Sequence, residues 1–464
     1  MTQELADKRV LVIGLGLHGG AIGTIEYLAS KGARITVTDK KTAQELASSQ
    51  EKLSHIPGIT YSLGVETVEN ISDFDMVIRN PAVPRTSPIL AAARENNIPI
   101  EMDSSLFFQD CPSLQIIGIT GSKGKTTCSN AIAGVLTELF PDTVAVGIDG
   151  VSPLGMLPKV TPKSRVVFEL SSWRLEALQE HGMSPHIAVV TSIYQDHLNT
   201  YSSYEEYIET KKQIIKNQTR DDIAILNADD EILRSWKYTV RGTLYWFSLE
   251  PLKEGKGIWV ENDMVYTNIH DTNEQLCAVS TISHVSPHEL RNKLPSLLIA
   301  LLYGAKVEAA VAALSHIAPL AHRMQTVRMV DGATYMNDSA ATMPDAAIAA
   351  ITALAGKRIV LIAGGSDKAL EFHNLANTLA SANISHIIWL PGTATERMKS
   401  EIMPHTQATP HDASSMEEAV RIASESAQNG DIVLLSPGAT SFGLFLHEFD
   451  RGDSFIRAVE ALSS

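Results

Sequence analysis

The stretch IIGITGSKGKTTCSN, residues 116–130, constrains the fold more than any other part of the chain. An apolar run enters a turn that contains Gly121 and Gly124, and Lys125 and Thr126 follow at the start of a helix-like segment. In such a turn the backbone N–H groups surround phosphates, the lysine reaches the outer phosphates and the threonine hydroxyl joins a Mg²⁺ shell. The first glycine of a strict Walker A motif is missing, and a glycine turn without a ligand is the alternative. The stretch predicts a strand, a phosphate-binding loop and a helix.

A second glycine turn, GLGLHG, lies near the N-terminus between a predicted strand and a predicted helix. Gly14, Gly16 and Gly19 allow the backbone to approach a diphosphate at a helix N-terminus, and Asp39 ends the next strand, where a carboxylate reaches a sugar or a base. This arrangement favours binding of a nucleotide diphosphate. It does not indicate a nicotinamide cofactor, because any nucleotide diphosphate satisfies the same geometry. A tight turn without a ligand is the alternative.

Strand-like and helix-like segments alternate along the chain, which is typical of α/β domains with parallel sheets. At 464 residues the chain is longer than one hydrophobic core usually supports. We therefore predict three consecutive α/β domains: an N-terminal Rossmann-like domain at residues 1–108, a central P-loop domain with a mainly parallel sheet at 109–320, and a C-terminal Rossmann-like domain at 321–464. The segments GTLYWFSL, GIWVEND and MVYTNI predict a smaller antiparallel annex in the central domain.

Composition and charge exclude several classes of function. The formal net charge is −15, and no basic cluster with interleaved aromatic residues offsets it, so a nucleic-acid-binding protein is not expected. No apolar run reaches the roughly 18 residues that span a bilayer, and the N-terminus lacks a signal-peptide pattern. Three widely spaced cysteines give neither a disulfide framework nor a zinc signature. The expectation is a soluble cytoplasmic protein without nucleic-acid or membrane partners.

Polar side chains end several other predicted strands. Glu169 ends SRVVFEL near the phosphate loop, where a magnesium-binding carboxylate is expected. In the third domain, Asp338, Lys368 and Ser441 belong to polar clusters that end three strands, so one edge of a parallel sheet is predicted to contact a ligand. His197 follows the strand HIAVVTSI and a lysine pair lies in YEEYIETKKQII. Taken alone, the histidine is more typical of a structural role and the lysine pair of a solvated helix face.

Six motifs in order, GITGSKGKTT, ELSSW, DHL, HRM, NDSAAT and LLSPGATS, resemble those of the Mur ligase family across essentially the whole chain. SSW, GGSDK and the ending SPGATSF are most similar to the members that add D-glutamate to UDP-N-acetylmuramoyl-L-alanine. The resemblance implies a monomeric, ATP-dependent amide ligase of cytoplasmic peptidoglycan-precursor synthesis, which works through an acyl phosphate and a tetrahedral intermediate. It also implies that uridine diphosphate lies on the first glycine turn and ATP on the phosphate loop, while the third domain brings glutamate and closes on ATP.

The same resemblance implies roles for individual residues. The implied catalytic residues are Lys125, Glu169, His197 and Lys211. The implied ligands of two Mg²⁺ ions are Thr126, Glu169, His197 and Lys211, with Lys211 as the lysine that the family carboxylates with CO₂ and Lys212 as the less suitable alternative. The implied ATP contacts are Gly121, Ser122, Gly124, Lys125, Thr126, Thr127, Asn292, Arg323 and Asp338. The implied substrate contacts are Leu15, Gly16, Asp39 and Asp149 for the UDP-linked substrate, and Lys368 and Ser441 for the carboxylates of glutamate.

Several positions depart from the family's motifs. Ala340 stands where a lysine is common, and Asp149 and Ser192 stand where asparagines are usual. Glu448 occupies the place of an aromatic residue that lines the glutamate pocket, and Arg291 replaces the histidine before Asn292. These differences leave two alternatives open: the same ligase chemistry with another acceptor, such as L-glutamate, and a regulator that binds a UDP-sugar and ATP without turnover.

Overall fold

The computed structural model describes residues 5–462 apart from 17–19, 66, 69, 82, 149, 195–200, 283–286, 319 and 368–369. Within this part of the chain the strands form three sheets. The chain divides into two compact units: residues 1–317 contain the first two sheets, and residues 318–464 contain the third. The three mainly parallel sheets with intervening helices confirm the predicted fold class. The domain boundary at residues 108 and 109 stays a prediction.

The first sheet is parallel in all its described pairings and has the strand order β3-β2-β1-β4-β5. Its elements are β1 (Arg9–Ile13), α1 (Gly20–Ser30), β2 (Arg34–Asp39), α2 (Ala47–Lys52), β3 (Thr60–Leu63), β4 (Met76–Arg79), α3 (Pro88–Glu95) and β5 (Ile100–Glu101). The central strand β1 is buried from its second residue onward, as expected for an apolar strand covered on both faces. The glycine turn leaves its carboxyl end.

The second sheet has the order β14-β13-β12-β11-β10-β9-β6-β8-β7. The elements of this region are α4 (Asp103–Asp110), β6 (Ile116–Thr120), α5 (Lys125–Leu139), β7 (Thr143–Val146), α6 (Pro153–Met156), β8 (Arg165–Glu169), α7 (Ser172–Glu180), β9 (Ile187–Val190), α8 (Tyr204–Lys216), β10 (Ile223–Asn227), α9 (Glu231–Ser235), β11 (Thr243–Ser248), β12 (Lys256–Glu261), β13 (Met264–Thr267), β14 (Glu274–Ala278), α10 (Val279–Ile282), α11 (Pro287–Leu302) and α12 (Val307–Ser315).

The predicted antiparallel annex is only partly correct. The strand β11, which contains most of GTLYWFSL, pairs in parallel with both β10 and β12. The antiparallel pairings begin with β12 and β13 and continue to β14, and they extend the same sheet. Parallel pairing of β10 and β11 needs a crossover, and the short helix α9 lies between the two strands in sequence. The periodicity of the segment indicated a strand but carried no information on its direction.

The third sheet has the order β15-β16-β20-β17-β18-β19 and is parallel except for the pairing of β15 with β16. Its elements are β15 (Gln325–Val330), β16 (Ala333–Asn337), α13 (Pro344–Ala353), β17 (Ile359–Ala363), α14 (His373–Ser381), β18 (Ile384–Trp389), α15 (Thr395–Ile402), β19 (Thr409–Asp412), α16 (Met416–Ser426), β20 (Ile432–Leu435) and α17 (Glu448–Glu460). The edge strand β15 was not predicted, because only one of its six residues is buried and its apolar pattern is weak.

Helix packing holds the phosphate loop in place. The helix α5 buries Cys128, Ile132 and Leu136 in an apolar core that also contains Leu294 and Leu298 of α11. The two helices therefore cover one face of the central sheet together. No helix in the described part of the chain is long and apolar enough to cross a membrane.

Candidate functional site

The predicted phosphate loop joins the end of β6 to the start of α5. Gly124 precedes the helix with a φ of 82°, and Gly121 has a φ of 150°. A Cβ atom at Gly121 would lie 2.0 Å from Oγ1 of Thr191, the residue that follows β9. Both glycines are therefore required by the backbone conformation or by close packing. The result is a bare backbone loop at a helix N-terminus, which is a site suited to phosphate.

The cation and the hydroxyl of the motif both make contacts beside the loop. The Nζ atom of Lys125 donates to the carbonyl oxygens of Gly121 and Ser122, at 2.9 and 3.2 Å, so the lysine curls over its own loop. The Oγ1 atom of Thr126 donates to Oε1 of Glu169 at 3.4 Å. Thr126 lies in the first turn of α5, and Glu169 ends the adjacent strand β8.

These oxygen donors suit Mg²⁺. A hydroxyl and a carboxylate are hard ligands, and Mg²⁺ bound with a nucleotide takes one or two protein ligands together with phosphate oxygens and water. The described residues contain no group of three or more His, Cys, Asp or Glu side chains that could hold a metal ion on its own. The pair Thr126 and Glu169 therefore fits an ion that is bound together with a phosphate ligand. His197, the other predicted histidine ligand, lies outside the described residues.

Lys211 is buried, with 2% of its surface exposed, and it lies on α8. Its Nζ atom donates to Oγ1 of Thr120, the last residue of β6, at 3.2 Å and lies 5.5 Å from the ring centre of Tyr207. Lys211 is therefore directly below the start of the phosphate loop. The alternative, Lys212, places its Nζ atom 5.9 Å from the ring centre of Trp236 instead. Of the two lysines, Lys211 is the one with a described hydrogen bond to β6, the strand that leads into the phosphate loop.

Asn292 lies against the phosphate loop. A Cβ atom at Gly124 would be 2.4 Å from Oδ1 of Asn292, so the amide of α11 occupies the space that the glycine leaves open. The neighbouring Arg291, which departs from the family's motif, forms an ion pair with Asp229 over 3.2 Å between Nε and Oδ2. Asp229 also accepts a hydrogen bond from the Ser248 hydroxyl at 2.6 Å. Arg291 thus links α11 to the ends of β10 and β11.

The acid of the first glycine turn is already engaged. The Oδ2 atom of Asp39 accepts hydrogen bonds from the backbone N–H groups of Leu15 and Gly16, at 2.8 and 3.2 Å. Gly14 and Gly16 both have positive φ values, of 87° and 65°. Asp39 was predicted to contact a sugar or a base, and the structure places its carboxylate on the turn itself. The acid therefore stabilises the shape of the turn.

In the second unit, Asp338 follows β16 and is almost completely buried. Its Oδ1 atom accepts from the Met324 N–H at 3.2 Å, and its Oδ2 atom accepts from the Ser436 hydroxyl at 2.8 Å. Burial raises the pKa of Asp338 to about 7. The other predicted residues of this unit differ in exposure, since Ser441 is buried and Arg323 is exposed.

A residue that sequence analysis missed connects two of the predicted polar clusters. Arg451, on α17, is fully buried, and its guanidinium donates to the hydroxyl and carbonyl oxygens of Ser339 and to the carbonyl oxygen of Ala439. It therefore ties the turn after β16 to the turn after β20. The sequence signal is the arginine in FDRG, residues 449–452, because a charged side chain on the buried face of a helix requires hydrogen-bond partners.

Three of the residues that depart from the family's motifs, Ser192, Ala340 and Glu448, form hydrogen bonds that involve backbone groups. The Ser192 hydroxyl accepts from the Lys123 N–H at 3.3 Å, within the phosphate loop. The Ala340 N–H donates to the His322 carbonyl at 3.0 Å, and the Glu448 carbonyl accepts from the Ser339 hydroxyl at 2.7 Å. Two further predicted substrate contacts, Asp149 and Lys368, lie outside the described residues.

Three protein-family models match successive parts of the chain. Residues 8–101 match the Mur ligase MurD-like N-terminal domain, residues 119–300 the Mur ligase middle domain, and residues 322–438 the Mur ligase glutamate ligase domain. Among solved structures, UDP-N-acetylmuramate-alanine ligase MurC from Thermotoga maritima aligns with a TM-score of 0.61 at 17% identity, covering 98% of this chain and 99% of that one. MurF ligase from Thermotoga maritima in complex with ADP aligns with a TM-score of 0.55 at 16% identity, covering 99% and 97%. Both alignments support the fold.

Relatives of higher identity extend over the full length. UDP-N-acetylmuramoylalanine--D-glutamate ligase from Roseiflexus sp. (strain RS-1) is 38% identical over 471 residues, which cover 99% of this chain and all of the relative. The protein of the same name from Symbiobacterium thermophilum is 33% identical over 459 residues, which cover 98% of this chain and 99% of the relative. Identity at this level over whole chains is shared by members of one family, and it confirms the predicted ligase. The chain belongs to the Mur ligase family.

Proposed function

We propose that the protein adds D-glutamate to UDP-N-acetylmuramoyl-L-alanine, with conversion of ATP to ADP and phosphate, in the cytoplasmic synthesis of peptidoglycan precursors. The observation that carries the proposal is the presence of two glycine turns with positive φ values in one unit of a ligase chain. The turn that Asp39 closes would provide one phosphate site, and the loop with Lys125, Thr126 and Glu169 would provide the other. The full-length relatives support the choice of substrates.

The reaction needs an activated acid. A carboxylate is a poor electrophile, so the alanyl carboxylate first takes the γ-phosphoryl group of ATP and becomes an acyl phosphate. The amine of glutamate then attacks the acyl carbon, and the tetrahedral intermediate expels phosphate and leaves the amide. Such catalysis depends mainly on placing the reactants and neutralising charge.

In this proposal the residues around the phosphate loop divide those two tasks. The loop N–H groups and Lys125 bind the phosphates, since the Lys125 side chain already lies over the loop carbonyls. Thr126, Glu169, His197 and Lys211 would hold two Mg²⁺ ions, which would neutralise charge on the transferred phosphoryl group. Lys211, whose amine is buried beside Thr120, would serve as an N-carboxylated lysine and supply an anionic ligand. Asn292 contacts the nucleotide beside Gly124.

The remaining predicted contacts are also part of the proposal. Leu15, Gly16 and Asp39, with Asp149, receive the UDP-linked substrate. Arg323 and Asp338 contact ATP, whereas Lys368 and Ser441 bind the carboxylates of glutamate. We propose that the protein acts as a monomer on small-molecule substrates.

The test is phosphate release from ATP with Mg²⁺ and UDP-N-acetylmuramoyl-L-alanine, measured with D-glutamate, with L-glutamate and without an amino acid. Release that requires both the UDP-linked substrate and D-glutamate is the expected result. Release with L-glutamate alone would correct the acceptor and place the difference in the pocket around Lys368, Ser441 and Glu448.

A second candidate function rests on the departures from the motifs. Ala340, Asp149 and Ser192 remove groups that are common in the family, which is compatible with a regulator that binds a UDP-sugar and ATP without turnover. In that case both nucleotides would bind in equilibrium dialysis, while no acceptor would promote phosphate release.

A further inference from the structure

A buried chain of contacts begins under the first glycine turn. Arg79 ends β4, in register with Ile13, the residue of β1 that precedes the turn. The next residue, Asn80, donates from its side chain to the carbonyl oxygen of Gly14 at 3.1 Å, and its N–H donates to the carbonyl of Ile13 at 3.1 Å. The backbone around Arg79 therefore supports the turn on which the diphosphate is proposed to lie.

The side chain of Arg79 leaves the first sheet and enters the region of the central one. Its Nη1 atom donates to Oε2 of Glu176 at 2.8 Å, and its guanidinium carbon lies 5.4 Å from the ring centre of Trp173. Both partners belong to α7, the helix that follows Glu169 and starts at Ser172. The Arg79 and Glu176 side chains are 6% and 10% exposed, so this ion pair is shielded from water.

Aromatic residues carry the contacts on to the phosphate loop. The Tyr201 hydroxyl donates to Oε1 of Glu176 at 2.8 Å, and the Tyr201 ring stacks on Trp173 with centroids 5.9 Å apart. Tyr201 also meets Tyr207 edge to face at 5.3 Å. The Tyr207 hydroxyl is 2.9 Å from the Ser122 hydroxyl in the phosphate loop. A continuous packed path thus joins the two phosphate sites.

Stability alone is a poor explanation for the ion pair in this path. Desolvation of two buried charges offsets most of their attraction, and a well-packed apolar pair is often as stable. In addition, the Nη2 atom of Arg79 is buried and has no hydrogen-bond partner among the described residues, which adds to the cost. Directional contacts of this kind are more useful for holding elements at a defined distance and angle.

We propose that Arg79 is a positioning residue that sets the distance between the two phosphate sites through Glu176, Tyr201 and Tyr207. The inference rests on the proposed function, in which a carboxylate at the end of the UDP-linked substrate must meet the γ-phosphorus of ATP. Reacting atoms have to approach to about 3–3.5 Å, and an error of about 1 Å costs up to roughly 100-fold in rate. Each nucleotide, however, is bound by a turn that does not include Arg79.

The experiment compares two path variants with two matched controls in full-length protein. R79M removes the guanidinium, and Y201F removes only the hydroxyl that reaches Glu176. The control R9M breaks an exposed ion pair with Asp75 in the same sheet, and the control Y27F breaks an equivalent hydroxyl-to-carboxylate bond with Asp110, between α1 and α4. Steady-state kinetics with D-glutamate give kcat and the KM values for ATP and UDP-N-acetylmuramoyl-L-alanine. ADP-binding stoichiometry gives the folded fraction.

We expect R79M to lower kcat about 10- to 100-fold and Y201F about 3- to 10-fold, with both KM values within about 2-fold of wild type, because binding is retained while alignment is lost. The control variants should keep wild-type kcat. R79K, which keeps the charge but loses the planar guanidinium, should have a kcat between those of wild type and R79M.

Several outcomes would overturn the inference. Unchanged kcat in Y201F and R79M would refute the path, and a raised KM for the UDP-linked substrate at normal kcat would make Arg79 a binding residue. Equal losses in Y27F and Y201F would indicate a general effect of joining the two sheets. If R79M binds less than one ADP per chain, Y201F decides the question. Absence of turnover in the wild-type protein would refute the proposed function instead, and the inference with it.

Discussion

The buried carboxyl group of Asp338 should lower the free energy of unfolding of the second unit at neutral pH, compared with a neutral side chain of the same shape. Its carboxyl group is almost fully buried, with one backbone N–H and the Ser436 hydroxyl as its described hydrogen-bond donors. Asparagine has the same shape, so D338N should keep the bond from the Met324 N–H and reverse the one with Ser436 by donating to its hydroxyl. The substitution removes the cost of burying a charge while changing little else.

The direction of the pH effect follows from the raised pKa. The pKa of Asp338 rises from an ordinary value of 3.8 to about 7, so between about pH 4 and pH 7 the folded chain holds a proton that the unfolded chain has lost. The free energy of unfolding therefore falls as the pH rises through this range, and it levels off above pH 7. Compared with low pH, where the folded and the unfolded chain both carry the proton, the free energy of unfolding should be lower by about 4 kcal/mol at pH 8 and by about 2 kcal/mol at pH 5.

Hydrogen-exchange mass spectrometry over a urea series would measure the effect in the full-length protein, on peptides from β16 and β20. D338N should be more stable than wild type by up to about 4 kcal/mol at pH 8 and by about 2 kcal/mol at pH 5. Its turnover should nevertheless fall, because Asp338 is a proposed ATP contact. D345N, on the exposed first turn of α13, is the control. A gain that is equal at both pH values, or a loss of stability at pH 8, would refute the reasoning.

Three further predictions concern the first unit. K211A should reduce turnover by at least about 100-fold while ADP still binds, since the described contact of Lys211 is with Thr120 at the end of β6; normal turnover would exclude a catalytic role. G124A should raise the Kd for ATP at least about 10-fold, because its Cβ would meet Asn292 at 2.4 Å in a left-handed conformation; calorimetry would show an unchanged Kd if the loop could adapt. D39A should raise the KM for the UDP-linked substrate about 10-fold at nearly constant kcat, since the turn loses two hydrogen bonds; a loss confined to kcat would contradict this explanation.

Features with strong local physics were predictable from the sequence. The two glycine turns require positive φ values at specific places, and only glycine adopts them readily. Gly124 has that conformation at the start of α5, and Thr126 meets Glu169, as the order of strand, loop and helix indicated. The parallel sheets followed from the alternation of strands and helices.

Features that depend on distant partners were not predictable from periodicity. The predicted ligand contact of Asp39 stays a prediction, whereas the hydrogen bonds that its carboxylate accepts from the Leu15 and Gly16 N–H groups were not predicted. Arg451 contacts Ser339 and Ala439, which follow the strands β16 and β20. These residues are neighbours only because the two strands pair in the sheet. The contact between Arg79 and Glu176 joins residues almost 100 positions apart, and nothing in either local sequence indicates the other.

The packing of α5 against α11 has a consequence for synthesis on the ribosome. The phosphate loop and α5 are made first, but α11, which completes the apolar cover of α5, begins only at Pro287. Until that helix has left the exit tunnel, Ile132 and Leu136 lack part of their native neighbours. A nascent chain that has passed the phosphate motif therefore exposes an apolar helix face to chaperones for much of its elongation, and stable nucleotide binding has to wait for more than half of the chain to emerge.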